Sequence, residues 1–137
     1  MPDKRKATCP APSTIVAACD RRVLALEARS PAAGRAQIIA EGMALLARAS
    51  ETAPKLIDLC RAKYPRFDRI ISTHVPAPLR EQARQLKRAR AFESLQEIYL
   101  EAVLAALVER GLLTAGLDAT PGDGEPIGGE RAPCRAA

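Results

Sequence analysis

Apolar and polar residues repeat with two different periods along this chain. Apolar side chains three and four positions apart indicate amphipathic helices. Residues 70–75 change to a period of two, and their β-branched side chains favour a strand. Pro65 ends the helix before this segment and Pro76 ends the strand, because a proline ring removes a backbone donor and restricts its neighbour. The predicted helices cover residues 13–29, 31–49, 55–64, 78–90 and 94–110.

The two ends of the chain lack such periods. Residues 1–12 are charged and contain prolines, so we expect a disordered basic arm. Residues 114–137 are rich in Gly, Pro and Ala and would bury too little apolar surface to offset their chain entropy, so we expect a disordered tail. Between them we predict a helical region of about three helices at 13–64 and a strand with two helices at 69–111, with no internal repeat.

Positive charge is concentrated in one part of the chain. The formal net charge is +5, but residues 69–90 alone carry six Arg or Lys and one acid, whereas residues 91–110 carry four Glu and one Arg. A local basic surface of this kind suits an anionic partner such as nucleic acid. The alternative is a solvated face of an ordinary helical bundle.

Signs of catalysis or cofactor binding are missing from the sequence. It contains no paired carboxylates, no nucleophile–base pattern, no Gly-rich phosphate loop and no metal-ligand spacing, so we expect neither an enzyme nor a cofactor. The four cysteines (9, 19, 60 and 134) are widely spread, which favours reduced thiols. Without a signal peptide or a long apolar run, the default expectation is a cytoplasmic protein that does not contact a membrane.

Residues 69–110 carry four segments in an informative order. The strand ISTHVP leads into PAPL, the basic helical run REQARQLKRAR follows, and SLQEIYLEAV opens a second helix. In order and length these segments resemble the ribbon-helix-helix family of Arc, MetJ and CopG-like repressors, over about a third of the chain. The resemblance implies a mainly α protein whose single strand pairs antiparallel with its copy in a second chain. Backbone pairing supports a homodimer, because a half-buried strand cannot leave both edges unpaired.

In such a dimer the two-stranded ribbon would lie in the major groove of double-stranded DNA. The side chains expected to contact bases are Ile70, Ser72 and His74. Those expected near phosphates are Arg69, Arg80, Arg84, Lys87, Arg88, Arg90 and Ser94. Those expected in the dimer core are Ile71, Thr73, Val75, Leu86, Leu95, Ile98, Tyr99 and Val103.

Three features depart from the family pattern. Ile, Ser and His stand where Arg, Lys, Asn or Gln are frequent, a carboxylate at Glu93 precedes the second helix, and some 65 residues precede the strand. The resemblance implies a sequence-specific transcriptional repressor or a plasmid-maintenance or antitoxin-type regulator. A protein partner could bind residues 13–64 or the C-terminal tail.

The alternative is an all-helical ligand- or partner-binding module like the C-terminal half of TetR regulators, which AKYPRF and ERGLL loosely resemble. That alternative predicts no strand and no DNA binding.

Overall fold

The computed structural model describes residues 4–50 and 52–120, which form five helices and one two-stranded antiparallel sheet. In chain order the elements are β1 (Lys4–Ala11), α1 (Ser13–Leu26), α2 (Pro31–Arg48), α3 (Leu56–Lys63), β2 (Arg69–Pro76), α4 (Ala77–Ala89) and α5 (Leu95–Glu109). The helices stand where apolar spacing predicted them.

The prediction of a mainly α protein whose single strand pairs with a second chain is wrong, because the described residues form a mixed α and β fold with a sheet inside one chain. β1 pairs with β2 of the same chain, from Lys4 opposite Pro76 to Ala11 opposite Arg69. The expected disordered arm at residues 1–12 therefore contains a strand. Its small apolar side chains, at positions 7, 9 and 11, are buried and alternate with more exposed ones, which is the pattern of a half-buried strand.

The chain also contains the internal repeat that sequence inspection missed. Ser30 and Ser94, 64 positions apart, cap α2 and α5 with the same backbone angles, φ −150° and ψ 163°. Glu27 and Ala91 have the same separation, and both adopt a left-handed conformation, at φ 52° and 59°. The units β1–α1–α2 and β2–α4–α5 are thus two copies of one strand-helix-helix arrangement. They face each other across an approximate two-fold axis, and α3 lies between them in sequence.

The second helices of the two units cross closely in the centre of the core. A methyl carbon placed on Gly42 of α2 would lie 2.6 Å from Cα of Ala102 in α5, and closer still to its carbonyl group. Only a residue without Cβ permits this approach. Ile38 and Met43 of α2 and Leu104 of α5 are fully buried and belong to the same hydrophobic core. The regions predicted as separate, 13–64 and 69–111, consequently share one core.

A buried carboxylate joins α3 to this core. The Glu101 side chain, 1% exposed, accepts hydrogen bonds of 2.8 Å from the backbone N–H groups of Leu56 and Ile57 at the start of α3. Burial raises the pKa of Glu101, while these two N–H groups oppose the shift. The carboxylate therefore satisfies helix donors that no residue inside α3 can reach.

Part of the predicted disordered tail is folded. Leu117 is buried, and its carbonyl accepts a 2.9 Å hydrogen bond from the Tyr64 hydroxyl. The carbonyl of Thr120 accepts another, of 2.7 Å, from Arg21. Residues 121–137 lie outside the described part of the chain.

Candidate nucleic-acid interface

One face of the β1–β2 ribbon points away from the core. Period two sends alternate residues of each strand outward, and cross-strand pairing places them side by side. We call this surface the outer ribbon face. Its four cross-strand pairs are Lys4 with Pro76, Lys6 with His74, Thr8 with Ser72, and Pro10 with Ile70.

The residues predicted to contact bases lie on this face. Ile70 is 60% exposed, His74 is exposed and Ser72 is half-buried. The backbone carbonyl of Ser72 accepts a 2.7 Å hydrogen bond from Nε of Arg35 in α2, which holds the free edge of β2. These side chains therefore point outward, as the alternation in the sequence predicted.

The β1 half of the outer ribbon face was missed. Lys4 and Lys6 are exposed, and Thr8 is half-buried. Neither strand contains an acidic residue, and together they carry four cations. The available signal was the alternation around the small residues Ala7 and Cys9. This alternation is a weak indication of a strand, because two prolines lie nearby and the side chains are small.

A cleft flanks the end of the ribbon where the lysines lie. It has a volume of about 530 Å³, and its lining includes Lys4, Arg29 and His74. The first turn of α2 forms its wall, where the Ser30 hydroxyl accepts the Ala33 N–H at 3.1 Å. This turn contains no acidic side chain. The positive end of the helix dipole thus adds to the side-chain charges.

The start of α5 flanks the other end of the ribbon and differs in charge. Ser94, predicted near phosphate, caps the helix by accepting the Glu97 N–H at 3.2 Å, and Glu97 in turn accepts the Glu93 N–H at 2.9 Å. Arg61 of α3 forms a 2.7 Å ion pair with Glu97. Partial burial raises the pKa of Glu97, but these hydrogen bonds outweigh it and the net pKa is lowered. An ionised carboxylate therefore occupies this helix terminus.

The basic face of α4 borders the ribbon on another side. Arg80 and Arg84 line a cleft together with Arg5 of β1, and Glu81 lies among them, 3.8 Å from Arg84. Burial raises the pKa of Tyr99, and the charges of these two α4 arginines oppose the shift. The remaining predicted phosphate contacts at positions 69, 87 and 88 are exposed or half-buried.

Arg90 differs from the other predicted phosphate contacts. It is 5% exposed, and its guanidinium donates to the carbonyl of Ser50 at 3.3 Å. Its charge also acts on the buried Glu101. The structure therefore places Arg90 inside the fold, away from any DNA surface.

The residues predicted to form a dimer core are covered within one chain. Six of them are buried, at positions 71, 73, 75, 98, 99 and 103. Leu86 and Leu95 are partly buried and pack against the same core. The argument that these residues need a second chain fails, because β1 and α2 supply the missing partners.

Within residues 4–50 and 52–120, no group of three His, Cys, Asp or Glu side chains could hold a metal ion. Cys9, Cys19 and Cys60 are free and buried, and burial raises the pKa of each thiol. Cys134 lies outside the described residues. Among those described, no helix combines the length and hydropathy needed to cross a bilayer.

Comparisons with protein-family models, characterised proteins and solved structures found no match for this chain.

Proposed function

We propose that this protein binds double-stranded DNA by inserting the outer ribbon face into the major groove. The observation that carries the proposal is an antiparallel ribbon, built by two strand-helix-helix units of one chain, whose outward face has cations and no acid. A two-stranded ribbon matches a groove about 12 Å wide. The arrangement resembles a ribbon-helix-helix dimer with both halves joined in one polypeptide.

The polar groups of the outer ribbon face suit contacts to base edges and phosphates. Lys6 and His74 form one cross-strand pair, and the hydroxyls of Thr8 and Ser72 form the central pair. Lysine can donate to guanine or to phosphate, and hydroxyls accept from or donate to either base edge. Ile70 offers an apolar contact for a thymine methyl group.

Arginines beside the ribbon would add attraction for phosphates. Arg29 lies in the cleft at the start of α2, and Arg80 and Arg84 lie beside Arg5 at the start of α4. Such contacts release counterions from DNA and make binding salt-dependent. Within this proposal the biological role is that of a transcriptional repressor or a plasmid-maintenance regulator, acting in the cytoplasm without catalysis or cofactor.

The all-helical alternative has less support. It predicted no strand at residues 70–75, but β2 occupies 69–76 and pairs along its whole length.

The test is a salt titration of DNA binding with single charge removals. Lys6→Ala should weaken binding to duplex DNA and make the slope of log K against log salt shallower by about 1. Arg48→Ala is the charge-matched control, because an 18-residue helix is about 27 Å long and Arg48 lies in the last turn of α2, at the opposite end from the Ser30 cap beside the ribbon. DNA upstream of the protein's own gene is the first duplex to use. Equal effects of both variants, or no binding at low salt, would refute the proposal.

A further inference from the structure

The outer ribbon face is not symmetric, although the backbone that carries it is. The approximate two-fold axis passes between Thr8 and Ser72, which are 64 positions apart and directly opposite each other. Away from this centre the equivalent positions differ in chemistry. Lys6 corresponds to Ile70, and Pro10 corresponds to His74. A dimer of identical chains would repeat each of these side chains at both ends of its ribbon.

The differences divide the ribbon into two unlike ends. The pair of Lys6 and His74, with Lys4 beyond it, makes one end cationic. The pair of Pro10 and Ile70 makes the outer face apolar at the other end, where Arg69 is exposed but belongs to the alternate residues of β2. Charge therefore falls along the length of the face, from one end to the other.

The flanking helices reinforce this division. The first turn of α2 lies beside the cationic end, lacks acids and has Arg29 before it. The first turn of α5 contains Glu97, and Glu93 precedes it. The equivalent clefts also differ in size, about 530 Å³ beside α2 and about 160 Å³ beside α5. Ile57, Arg61 and Phe67, from the segment that joins the two units, line the smaller cleft, where Arg61 pairs with Glu97.

We infer that one chain binds an asymmetric, non-palindromic DNA site in a single orientation. The cationic end makes most of the phosphate contacts, and the apolar end contacts thymine methyl groups. This inference rests on the proposed function and adds to it the class of DNA site and the stoichiometry. Its physical basis is that identical half-sites cannot complement two unlike ribbon ends equally well.

The experiment is selection of the full chain against a pool of randomised duplexes, followed by phosphate-ethylation interference on the selected site. The expected consensus has no two-fold symmetry, the interference is concentrated on one side of the site, and native mass spectrometry shows one chain per duplex. A palindromic consensus bound by two chains would overturn the inference while leaving DNA binding intact. Failure to select any duplex would refute the proposed function itself.

A variant that makes the two ends alike provides a second test. Ile70→Lys puts a cation at the position equivalent to Lys6, so the salt slope should steepen by about 1 and ethylation interference should extend to the other side of the site. Ile70→Gln is the control, with a polar side chain of similar length and no charge. If Ile70→Lys and Ile70→Gln give the same slope and the same interference pattern, the assignment of the two ends is wrong.

Discussion

Replacing Gly42 with alanine tests how the two repeated units pack together. In an isolated helix the change would be favourable by about 1 kcal/mol, because alanine is the better helix former. In this fold the new methyl carbon would lie 2.6 Å from Cα of Ala102. Carbon atoms pack at about 3.5 Å or more, and the Ala102 carbonyl group is closer still, so α2 and α5 would have to separate by at least about 1 Å. Overpacking of this kind costs about 1–3 kcal/mol, and here the clashing atoms belong to a helix backbone that cannot rotate away.

The matched control is Gly34→Ala in the same helix. The atoms nearest to its methyl carbon would be those of the Val23 side chain, at 3.0 Å and beyond, and that side chain can shift by a few tenths of an ångström. The difference between the two variants isolates the helix crossing, because both gain helix propensity. Urea unfolding followed by circular dichroism should show Gly42→Ala less stable than Gly34→Ala by about 1–3 kcal/mol. A difference below about 1 kcal/mol would contradict the close crossing on which the single-chain ribbon depends.

Buried and capping groups give three further tests. Burial raises the pKa of Glu101, so the native chain holds this proton more tightly than the unfolded chain, and stability should fall as pH rises through the native pKa. In Glu101→Gln this decrease in the free energy of unfolding between acid and neutral pH should disappear. If the pH dependence of the free energy of unfolding is the same in the variant, the Glu101 carboxylate is not its cause. Burial raises the pKa of Cys9 and Cys19 to about 12 and that of Cys60 to about 11, so iodoacetamide at pH 8 should label these thiols only after unfolding. Peptide mapping would detect the labelled cysteines, and labelling of any of these three thiols in the native chain would show that the thiol is accessible. Ser94→Ala should lower the free energy of unfolding by about 1 kcal/mol, because the α5 cap is lost. Ser94→Thr should retain most of the stability, because threonine can also cap a helix. Equal losses of stability in thermal unfolding of the two variants would exclude the cap.

Local periodicity was sufficient to locate the helices and β2. The first four helices have an apolar stripe at helical spacing, α5 is apolar around most of its circumference, and signals such as Ser30 followed by Pro31 mark where a helix begins. In β2 the same local logic showed that Ile70, Ser72 and His74 point outward. These properties depend only on neighbours a few residues away.

Non-local pairing explains what the sequence analysis missed. β1 is a strand because β2, more than 60 residues later, pairs with it. The sequence of β1 predicts a strand only weakly, because Ala7, Cys9 and Ala11 are small and because proline, present here as Pro10, is rare within strands. Without a strand at residues 4–11, β2 has no pairing partner in its own chain, so the sequence leads to strand pairing with a second chain, whereas the structure pairs β2 with β1. Arg90 shows the same limitation, because nothing local distinguishes this buried arginine from the exposed ones of α4.

The sequence by itself determined which side chains share a face of each strand and helix, since the periods of 2.0 and 3.6 residues follow from backbone geometry alone. Only the tertiary structure decided which strand completes the ribbon, because the backbone N–H and C=O groups of every strand are chemically alike. The close approach of α2 to α5 at Gly42 was decided in the same way. In the sequence Gly42 weakens a helix, and only the neighbouring backbone at Ala102 shows why a side chain would not fit there.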